Sequence, residues 1–351
     1  MTRSVKRRSK GRQVRPWWLR ALRVAGTVVA SVAAAVVLLA MGLWVWAGDA
    51  KTPPGQIVWG ITYSAHAAKD LNLDPEAAYK AILDELHPKR LRLVAYWTDI
   101  EPQSGVYNYH DLDFQVAQAE AHGIPYVIAV GRKVPRYPEC FIPDWTQKLP
   151  SAQQNQQLLA IIKRTVQRYD GGAYLDTWQV ENEPYLNFGV CPALDQNLLK
   201  QEVGLVRSLT RKPILLTDSG ELSTWLGPTQ LGDEFGSTLY RVVINEPGDK
   251  IFHHFLWPDV YTRHANLIKK LHPNVKKVIV AELQAEPWGN GPNKPQSFYD
   301  LTMSHDQFSK NISFAQQVGF PEVYMWGAEW WYYEKLHGDS YYWNTAAAAF
   351  R

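Results

Sequence analysis

The chain has 351 residues, 46% of them hydrophobic and 20% charged, and a formal net charge of +3. Nine of its 37 Lys and Arg residues lie in residues 1–23, so the part from Lys51 onward holds 28 basic and 33 of the 34 acidic residues. That part carries a formal charge of −5. Because the basic excess is confined to one end of the chain, the composition does not indicate a nucleic-acid-binding domain. The length fits one large α/β unit.

An uncharged segment, Val24 to Ala47, follows the basic residues 1–23 and is rich in Val, Ala and Leu. About 20 apolar residues span a bilayer, and a basic flank stays on the cytoplasmic side. We therefore expect a cytoplasmic tail over 1–23, a transmembrane signal anchor over 24–47 and a single-pass membrane protein whose remainder is extracytoplasmic. A cleaved signal peptide, whose apolar core is shorter at about 7–15 residues, is the alternative.

A linker with Pro and Gly, residues 48–55, precedes the predicted folded domain, residues 56–351. There, short apolar runs alternate with longer amphipathic segments, which is the pattern of parallel βα units. The eight predicted strands are Gln56–Ile61, Arg90–Tyr96, Tyr126–Val130, Leu175–Val180, Ile214–Thr217, Ile251–Phe255, Lys277–Ala281 and Glu322–Trp326. The eight predicted helices are Asp74–Leu86, Asp111–His122, Ala152–Arg168, Ala193–Thr210, Gly232–Ile244, Asp259–Leu271, Ser304–Val318 and Trp343–Phe350.

The eightfold alternation predicts an α/β fold, a (β/α)8 TIM barrel preceded by one N-terminal transmembrane helix. A doubly wound open sheet is the rival fold. It normally has a Gly-rich phosphate loop after its first strand, and Thr62–His66 contains no Gly. The two cysteines, Cys140 and Cys191, lie in predicted loops and either form a disulfide or are separate thiols.

Carboxylates and tryptophans dominate the segments after the predicted strands, where a TIM barrel has its active site. Hydrolysis of a glycosidic bond needs a protonated carboxyl to assist the leaving oxygen and an ionised carboxylate to attack carbon or activate water. Glu183 follows the fourth strand and Glu282 the seventh, and these strands face each other across the mouth. Their carboxyls can thus approach the ~5 Å separation of a retaining enzyme, and we predict them to be catalytic.

Two neighbouring acids compete with this pair. Glu181 shares a face with Glu183 if the strand stays extended, and it then needs a cationic partner when buried. Glu286 lies four residues beyond Glu282 in a predicted loop, where carboxylates are more often found at the rim. Four further acids either bind sugar hydroxyls or brace loops: Glu101, Asp218, Glu221 and Glu329. No metal or other cofactor is expected, since no Cys or His pair has ligand spacing. Serine hydrolase chemistry is not indicated either, since no Gly-x-Ser-x-Gly motif occurs.

The string Trp178–Pro184 resembles the Asn-Glu-Pro signature that closes the fourth strand in clan A glycoside hydrolases, a group that includes the family 5 cellulases and mannanases. Val278–Glu282 resembles the end of the seventh strand in that clan. The resemblance implies that Glu183 is the acid/base, that Glu282 is the nucleophile, and that Asn182 touches the sugar 2-hydroxyl.

The resemblance also implies that Arg92, on the second strand, lies near the nucleophile and that Trp326, on the eighth strand, is a sugar platform. The clan often has a His-x-Tyr element after the sixth strand, whose Tyr hydrogen-bonds the nucleophile. Here the segment His253–Trp257 lacks that Tyr, so Tyr261 or His254 is the candidate replacement. Trp97 and Trp288 are further candidate stacking surfaces for sugar rings.

The predicted function is retaining hydrolysis of a β-glycosidic bond in a poly- or oligosaccharide by a monomeric catalytic domain tethered to a membrane. Two alternatives keep the same residues: a non-catalytic glycan-binding barrel at the membrane, and a transglycosylase in which a sugar replaces water. The sugar and the linkage depend on loops that resemble no subfamily.

Overall fold

The structure, a computed structural model, describes residues 17–48, 50–245, 250–289 and 296–351. The chain divides after Gly48 into a helical unit and a barrel unit. The helical unit contains α1, Trp17–Ala47, and the apolar side chains of its segment Val24–Ala47 are almost all exposed. At 1.5 Å per residue this segment is about 36 Å long, enough to span a bilayer. Residues 1–16 of the predicted cytoplasmic tail lie outside the described residues.

Ten strands occur in the described part of the barrel unit: β1 Val58–Thr62, β2 Arg90–Val94, β3 Tyr126–Val130, β4 Leu175–Val180, β5 Ile214–Asp218, β6 Glu234–Leu239, β7 Val242–Asn245, β8 Lys250–His253, β9 Lys277–Gln284 and β10 Glu322–Trp326. All except β7 and β8 form a closed barrel of parallel strands in the order β1-β10-β9-β6-β5-β4-β3-β2. The predicted TIM barrel is therefore confirmed.

The helices of the barrel unit are α2 Ala65–Asp70, α3 Pro75–Ala81, α4 Trp97–Ile100, α5 His110–Ala121, α6 Ser151–Tyr169, α7 Gln196–Leu209, α8 Leu226–Thr229, α9 Pro258–Leu271, α10 Gln296–Met303, α11 His305–Val318, α12 Ala328–Leu336 and α13 Tyr341–Phe350. Short 3-10 turns cover Pro54–Gln56 and Thr146–Lys148, and a π-helical turn, Ile82–Leu86, extends α3. Local chemistry sets several ends: the Asp74 side chain caps α3, and Gly319, with φ of 67°, ends α11.

The core has two layers. One side chain from each of four barrel strands fills the interior of the barrel: Val127, Leu215, Ile279 and Tyr324. A much larger apolar cluster lies between the outer face of the strands and the helices. Because side chains alternate along a strand, each barrel strand contributes to both layers, and polar residues on the interior face collect at the mouth.

The predicted sixth strand and the predicted fifth helix are wrong. Residues Ile251–Phe255 do not enter the barrel; most of them form β8, which pairs antiparallel with β7 in an exposed hairpin. The true sixth barrel strand is β6, inside the segment Gly232–Ile244 that was expected to be helical. All six residues of β6 are buried, and Gly236 lies so close to Ala281 of β9 that an added Cβ would be 2.7 Å from the Ala281 Cβ. A strand in this crowded place needs a small residue.

Candidate active site

The turn after β4 positions the predicted acid. Glu181 and Glu183 both have left-handed backbone conformations, with φ of 57° and 42°, so the strand does not stay extended. The Gln179 side chain donates to the Glu181 carbonyl at 2.9 Å, and the Glu183 amide donates to the Thr217 hydroxyl at 2.9 Å. These bonds hold a conformation that costs non-glycine residues free energy, and such strain is typical of functional sites. The carboxyls of Glu181 and Glu183 consequently point to different places.

Glu282 reaches the mouth because β9 contains a β-bulge. In the first half of β9, Val278 and Val280 pack outward against the helices and Ile279 packs inside the barrel. Strict alternation would turn Glu282 outward as well. The pairing register with both neighbouring strands shifts at Ala281, which adds one residue to β9. The bulge returns Glu282 to the interior.

Two donors hold the Glu282 carboxyl. Arg92, fully buried on β2, donates from one terminal nitrogen to Glu282 Oε1 at 2.9 Å and from the other to Asn182 Oδ1 at 2.7 Å. The hydroxyl of Tyr240 donates to Glu282 Oε2 at 3.0 Å. Burial, and next the Glu282 charge, raise the pKa of Tyr240 well above its usual value, so its phenol keeps the proton that it donates. Both oxygens of the Glu282 carboxyl therefore accept hydrogen bonds, one of them from a cation.

Glu183 has the opposite environment. It is 6% exposed, and among the described residues no side chain donates a hydrogen bond to its carboxyl. Burial, then the charges of Glu282 and Glu139, raise its pKa well above the usual range, against a smaller opposing effect of Lys133. Lys133 itself donates to the Glu183 backbone carbonyl at 2.9 Å. The mouth thus contains one carboxyl that accepts from a cation and a phenol, and one whose protonated form is favoured by burial and neighbouring negative charge. Such an asymmetry between two carboxyls suits acid–base chemistry.

The loop 132–141, which follows β3, covers one side of the mouth. It is a tight turn in which the Val134 amide bonds the Glu139 carbonyl at 2.8 Å, and a disulfide joins its Cys140 to Cys191 after β4. The two cysteines therefore pair, with Cα atoms 5.3 Å apart. This loop directs the charged side chains of Lys133, Arg136 and Glu139 toward the site.

Glu286, which was expected at the rim, and Glu329, whose role was left open, share Arg136. Arg136 forms an ion pair with Glu286 and lies 3.9 Å from Glu329. Glu286 also accepts a hydrogen bond from Trp326 Nε1 at 2.8 Å, and the Arg136 guanidinium lies 5.0 Å from the centroid of the Trp326 ring. Glu286 is therefore a buried support for Trp326 and not a solvated rim residue.

Glu181 is held by backbone amides, not by the cation that we expected. Its two oxygens accept from the amides of Arg132 and Lys133, both at 2.8 Å, and Gly131 makes room because an added Cβ there would meet Glu181. The remaining acids brace loops. Glu101 accepts from Gly105 and Trp97, and the others have contacts of the same kind: Asp218 with Ser219 and Ser223, and Glu221 with Tyr240 and Tyr261.

The predicted binding residues divide into two groups. Asn182 and Trp326 lie at the mouth, and Trp288 contacts the Tyr240 ring edge-to-face at 5.5 Å. Trp97 is 2% exposed and packs in the core against Trp145, so its ring is not available as a sugar-stacking surface. The expected position of His254 at the end of the sixth barrel strand is wrong, because it follows the hairpin strand β8, where its backbone amide bonds Arg241.

The residue that supports Glu282 after the sixth strand is Tyr240, and sequence reasoning missed it. Tyr261, the other candidate, donates to Glu221 at 2.8 Å instead. Glu139 was missed as well. Tyr240 directly follows β6, so correct placement of that strand would have identified it. For Glu139 the nearest signal is its position beside Cys140 in a predicted loop.

No protein-family model matches the sequence, and no curated protein matches it. Solved structures match the fold. The cold-adapted β-galactosidase from Rahnella sp. R3 has a TM-score of 0.55 at 12% identity, with 84% of this chain and 55% of that chain covered. A GH5_18 protein from Bifidobacterium longum subsp. longum, in complex with Manβ1-4GlcNAc, has a TM-score of 0.51 at 14% identity, covering 77% of this chain and 68% of that one.

The β-galactosidase from Marinomonas ef1 has a TM-score of 0.51 at 12% identity, with 77% of this chain and 54% of that chain covered. This chain spans about half the length of the β-galactosidases that it matches. At such identities the comparison concerns the fold alone. The predicted similarity to the cellulase-like TIM barrels of clan A glycoside hydrolases is confirmed for the fold. The fold and the site together define this protein as a TIM barrel with two carboxyls in different environments at its mouth.

Proposed function

We propose that this chain is a retaining glycoside hydrolase that cleaves a β-glycosidic bond, with Glu183 as the acid/base and Glu282 as the nucleophile. The observation that carries the proposal is the contrast between the two carboxyls. Arg92 and Tyr240 donate to Glu282, whereas the Glu183 carboxyl is buried beside negative charge and has no donor among the described side chains. The fold similarity to glycosidase structures supports the same reaction class.

In the first step, Glu282 attacks the anomeric carbon while Glu183 gives its proton to the departing oxygen, which leaves a glycosyl ester on Glu282. Ester formation removes the negative charge beside Glu183, so the pKa of Glu183 falls. Glu183 then takes a proton from water as that water attacks the anomeric carbon, which frees the sugar and restores the Glu282 carboxylate. The ion pair between Arg92 and Glu282 weakens as Glu282 attacks, and it forms again when the Glu282 carboxylate is restored.

The surroundings of the pair suit a sugar ring. Trp326, whose ring nitrogen is fixed by Glu286, and Trp288 offer aromatic faces, which stack on the apolar sides of sugars. The Asn182 oxygen is occupied by Arg92, so its amide nitrogen is the end that can donate to a hydroxyl. β-Galactosidase and GH5_18 structures with Manβ1-4GlcNAc among the fold neighbours make aryl β-galactosides and β-mannosides the first substrates to screen.

The test compares Glu183→Gln and Glu282→Gln in the full chain, purified in detergent, on aryl β-glycosides. We expect each substitution to lower kcat by at least about a thousandfold, since each removes a reacting group. Azide is expected to restore turnover differently in Glu183→Ala and Glu282→Ala, with glycosyl azides of opposite anomeric configuration. Glu181→Gln is the matched control, because this buried acid of the same turn faces the Arg132 and Lys133 amides; it should keep activity within tenfold. Retained activity in Glu183→Gln or Glu282→Gln refutes the assignment.

We further propose that α1 anchors the barrel unit to a membrane, with the barrel on the extracytoplasmic side. The proposal rests on the apolar span Val24–Ala47 and the nine basic residues before it. Alkaline carbonate should leave the full chain in the membrane fraction, and protease added outside intact spheroplasts should digest the barrel. Release of a chain that has lost residues 1–47 would instead indicate a cleaved signal peptide.

A further inference from the structure

Glu139 is a third buried carboxyl at the mouth, and the reaction described above gives it no step. It lies in the loop 132–141 and is 6% exposed. Its Oε2 accepts a hydrogen bond from Asn182 Nδ2 at 3.3 Å. Since Asn182 also holds Arg92 through its oxygen, Glu139 completes a chain of contacts that runs from the loop through Asn182 and Arg92 to Glu282.

The conformation that keeps Glu139 in place is energetically unfavourable. Its backbone is left-handed, with φ of 74°, which is strained for a residue with a Cβ. The next residue, Cys140, is fixed by its disulfide to Cys191. The segment around Gly189 packs so closely that an added Cβ there would lie 2.6 Å from the Cβ of Glu139. A carboxyl that is strained, buried and held from two sides is better explained by a role at the site than by stability.

The charges that face Glu139 come from three elements: Glu282 of β9, Arg92 of β2 and Lys133 of its own loop. Burial, and next Glu282, raise the pKa of Glu139 to about 7, so it becomes ionised as the pH passes through neutrality. Glu183 is faced by Glu282, Glu139, Lys133 and, from the end of β5, Asp218. The Glu139 charge raises the pKa of Glu183 further, so ionised Glu139 opposes loss of the proton from Glu183.

We propose that Glu139 is a positioning residue that orients the Asn182 amide and whose negative charge keeps Glu183 protonated, which extends the reaction to higher pH. The inference rests on the proposed function, because it assigns Glu139 a task only if Glu183 is the acid. The proposal predicts that the effect of the Glu139 charge and the effect of its hydrogen bond with Asn182 can be removed independently by substitution. A Gln at this position keeps an oxygen for the Asn182 amide and loses only the charge.

The experiment measures kcat and KM from pH 4 to 10 for the full chain and for Glu139→Gln, Glu139→Asp and Glu139→Ala. In Glu139→Gln the alkaline limb of the kcat/KM profile should shift to lower pH by about one unit. At a pH one unit above the wild-type limb, kcat/KM of this variant should therefore be about tenfold below that of the wild type. The acidic limb and KM should change little. Glu139→Asp should keep the wild-type limb because the charge remains. Glu139→Ala should show the shifted limb together with a lower kcat, because Asn182 is released.

Glu101→Gln is the matched control, since Glu101 is a buried acid whose carboxyl accepts from Trp97 of α4 and from the Gly105 amide, and the alkaline limb of this variant should not move. An unchanged alkaline limb in a folded Glu139→Gln overturns the inference, and so does a Glu139→Asp limb that shifts as far as that of Glu139→Gln. The proposed function fails in a different way, by activity that survives in Glu183→Gln or Glu282→Gln. The two failures are therefore distinguishable.

Discussion

The substitution Glu202→Gln should stabilise the protein at neutral pH and leave it nearly unchanged at acidic pH. Glu202 lies on α7, is 1% exposed, and faces Glu181. Its Oε2 has no hydrogen-bond partner among the described residues. Burial, then the Glu181 charge, raise the pKa of Glu202 well above its usual value. The folded state therefore favours the protonated form of Glu202, whereas in the unfolded chain Glu202 ionises near pH ~4.3.

The sign of the pH effect follows from proton linkage. Because the folded state binds the proton more tightly, stability from this group is complete below the unfolded pKa and is lost as the pH rises toward the folded pKa. The loss is at most about 1.4 kcal/mol per pH unit, so at most about 2.7 kcal/mol between pH 5 and pH 7. Glu202→Gln has no such titration, and its amide can donate to the Glu181 carboxylate. Its advantage over wild type should grow by up to that amount across this interval.

The assay is urea unfolding of both proteins at pH 5 and pH 7, followed by tryptophan fluorescence with the disulfide intact. We expect similar unfolding midpoints at pH 5 and a higher midpoint for Glu202→Gln at pH 7. Glu202→Ala separates charge from volume, since it removes the same proton but leaves a cavity, and it should be less stable than Glu202→Gln at both values. A Glu202→Gln advantage that is equal at the two pH values, or larger at pH 5, would refute the raised pKa of Glu202 in the folded state.

Three further predictions follow from the same structure. Tyr240→Phe removes the phenol that donates to Glu282 Oε2, so kcat/KM in steady-state assays should fall by about 10- to 100-fold because Glu282 loses one of its two donors; an unchanged kcat/KM would contradict this. Arg92→Met leaves Glu282 buried without its cation, so we expect loss of activity and a free energy of unfolding lower by about 3–5 kcal/mol in denaturant titrations; wild-type stability would show that Arg92 is not the partner. Reduction of Cys140–Cys191, which are 51 residues apart, should lower stability by about 4 kcal/mol in the chain-entropy account, measured by unfolding with and without reductant, and no change would show that the cross-link is dispensable.

The positions of Glu183 and Glu282, the proposed catalytic pair, could be predicted because the signals are local. Glu183 lies in an Asn-Glu-Pro string directly after a predicted strand, and Glu282 follows a run of Val, Ile and Ala. The alternation of strands and helices was sufficient for the barrel. The direction of Glu282 could not be predicted, because it depends on a bulge at Ala281 that single-sequence periodicity does not reveal. Period-two alternation alone would have turned this residue away from the site.

The sixth strand shows where pattern reasoning fails. Residues Glu234–Leu239 contain Gly, Ser and Thr and little apolar periodicity, whereas Ile251–Phe255 has the β-branched and aromatic residues typical of a strand. The structure shows the opposite arrangement. β6 is buried throughout, in a place where close neighbouring strands require small side chains, whereas the more apolar segment Ile251–Phe255 lies at the surface. The error hid Tyr240. Glu139 could not be found either, because its contact with Asn182 depends on a loop conformation fixed by the disulfide.

The most direct test of the account is covalent trapping of the nucleophile. The full chain is incubated with an activated 2-deoxy-2-fluoro β-glycoside of a sugar that it hydrolyses, then digested with protease and analysed by mass spectrometry. The account predicts one fluoroglycosyl group per chain, on the peptide that contains Glu282, and no label in Glu282→Gln. A label on Glu286 or another residue, or sustained turnover of the parent glycoside with no trapped ester, would contradict it.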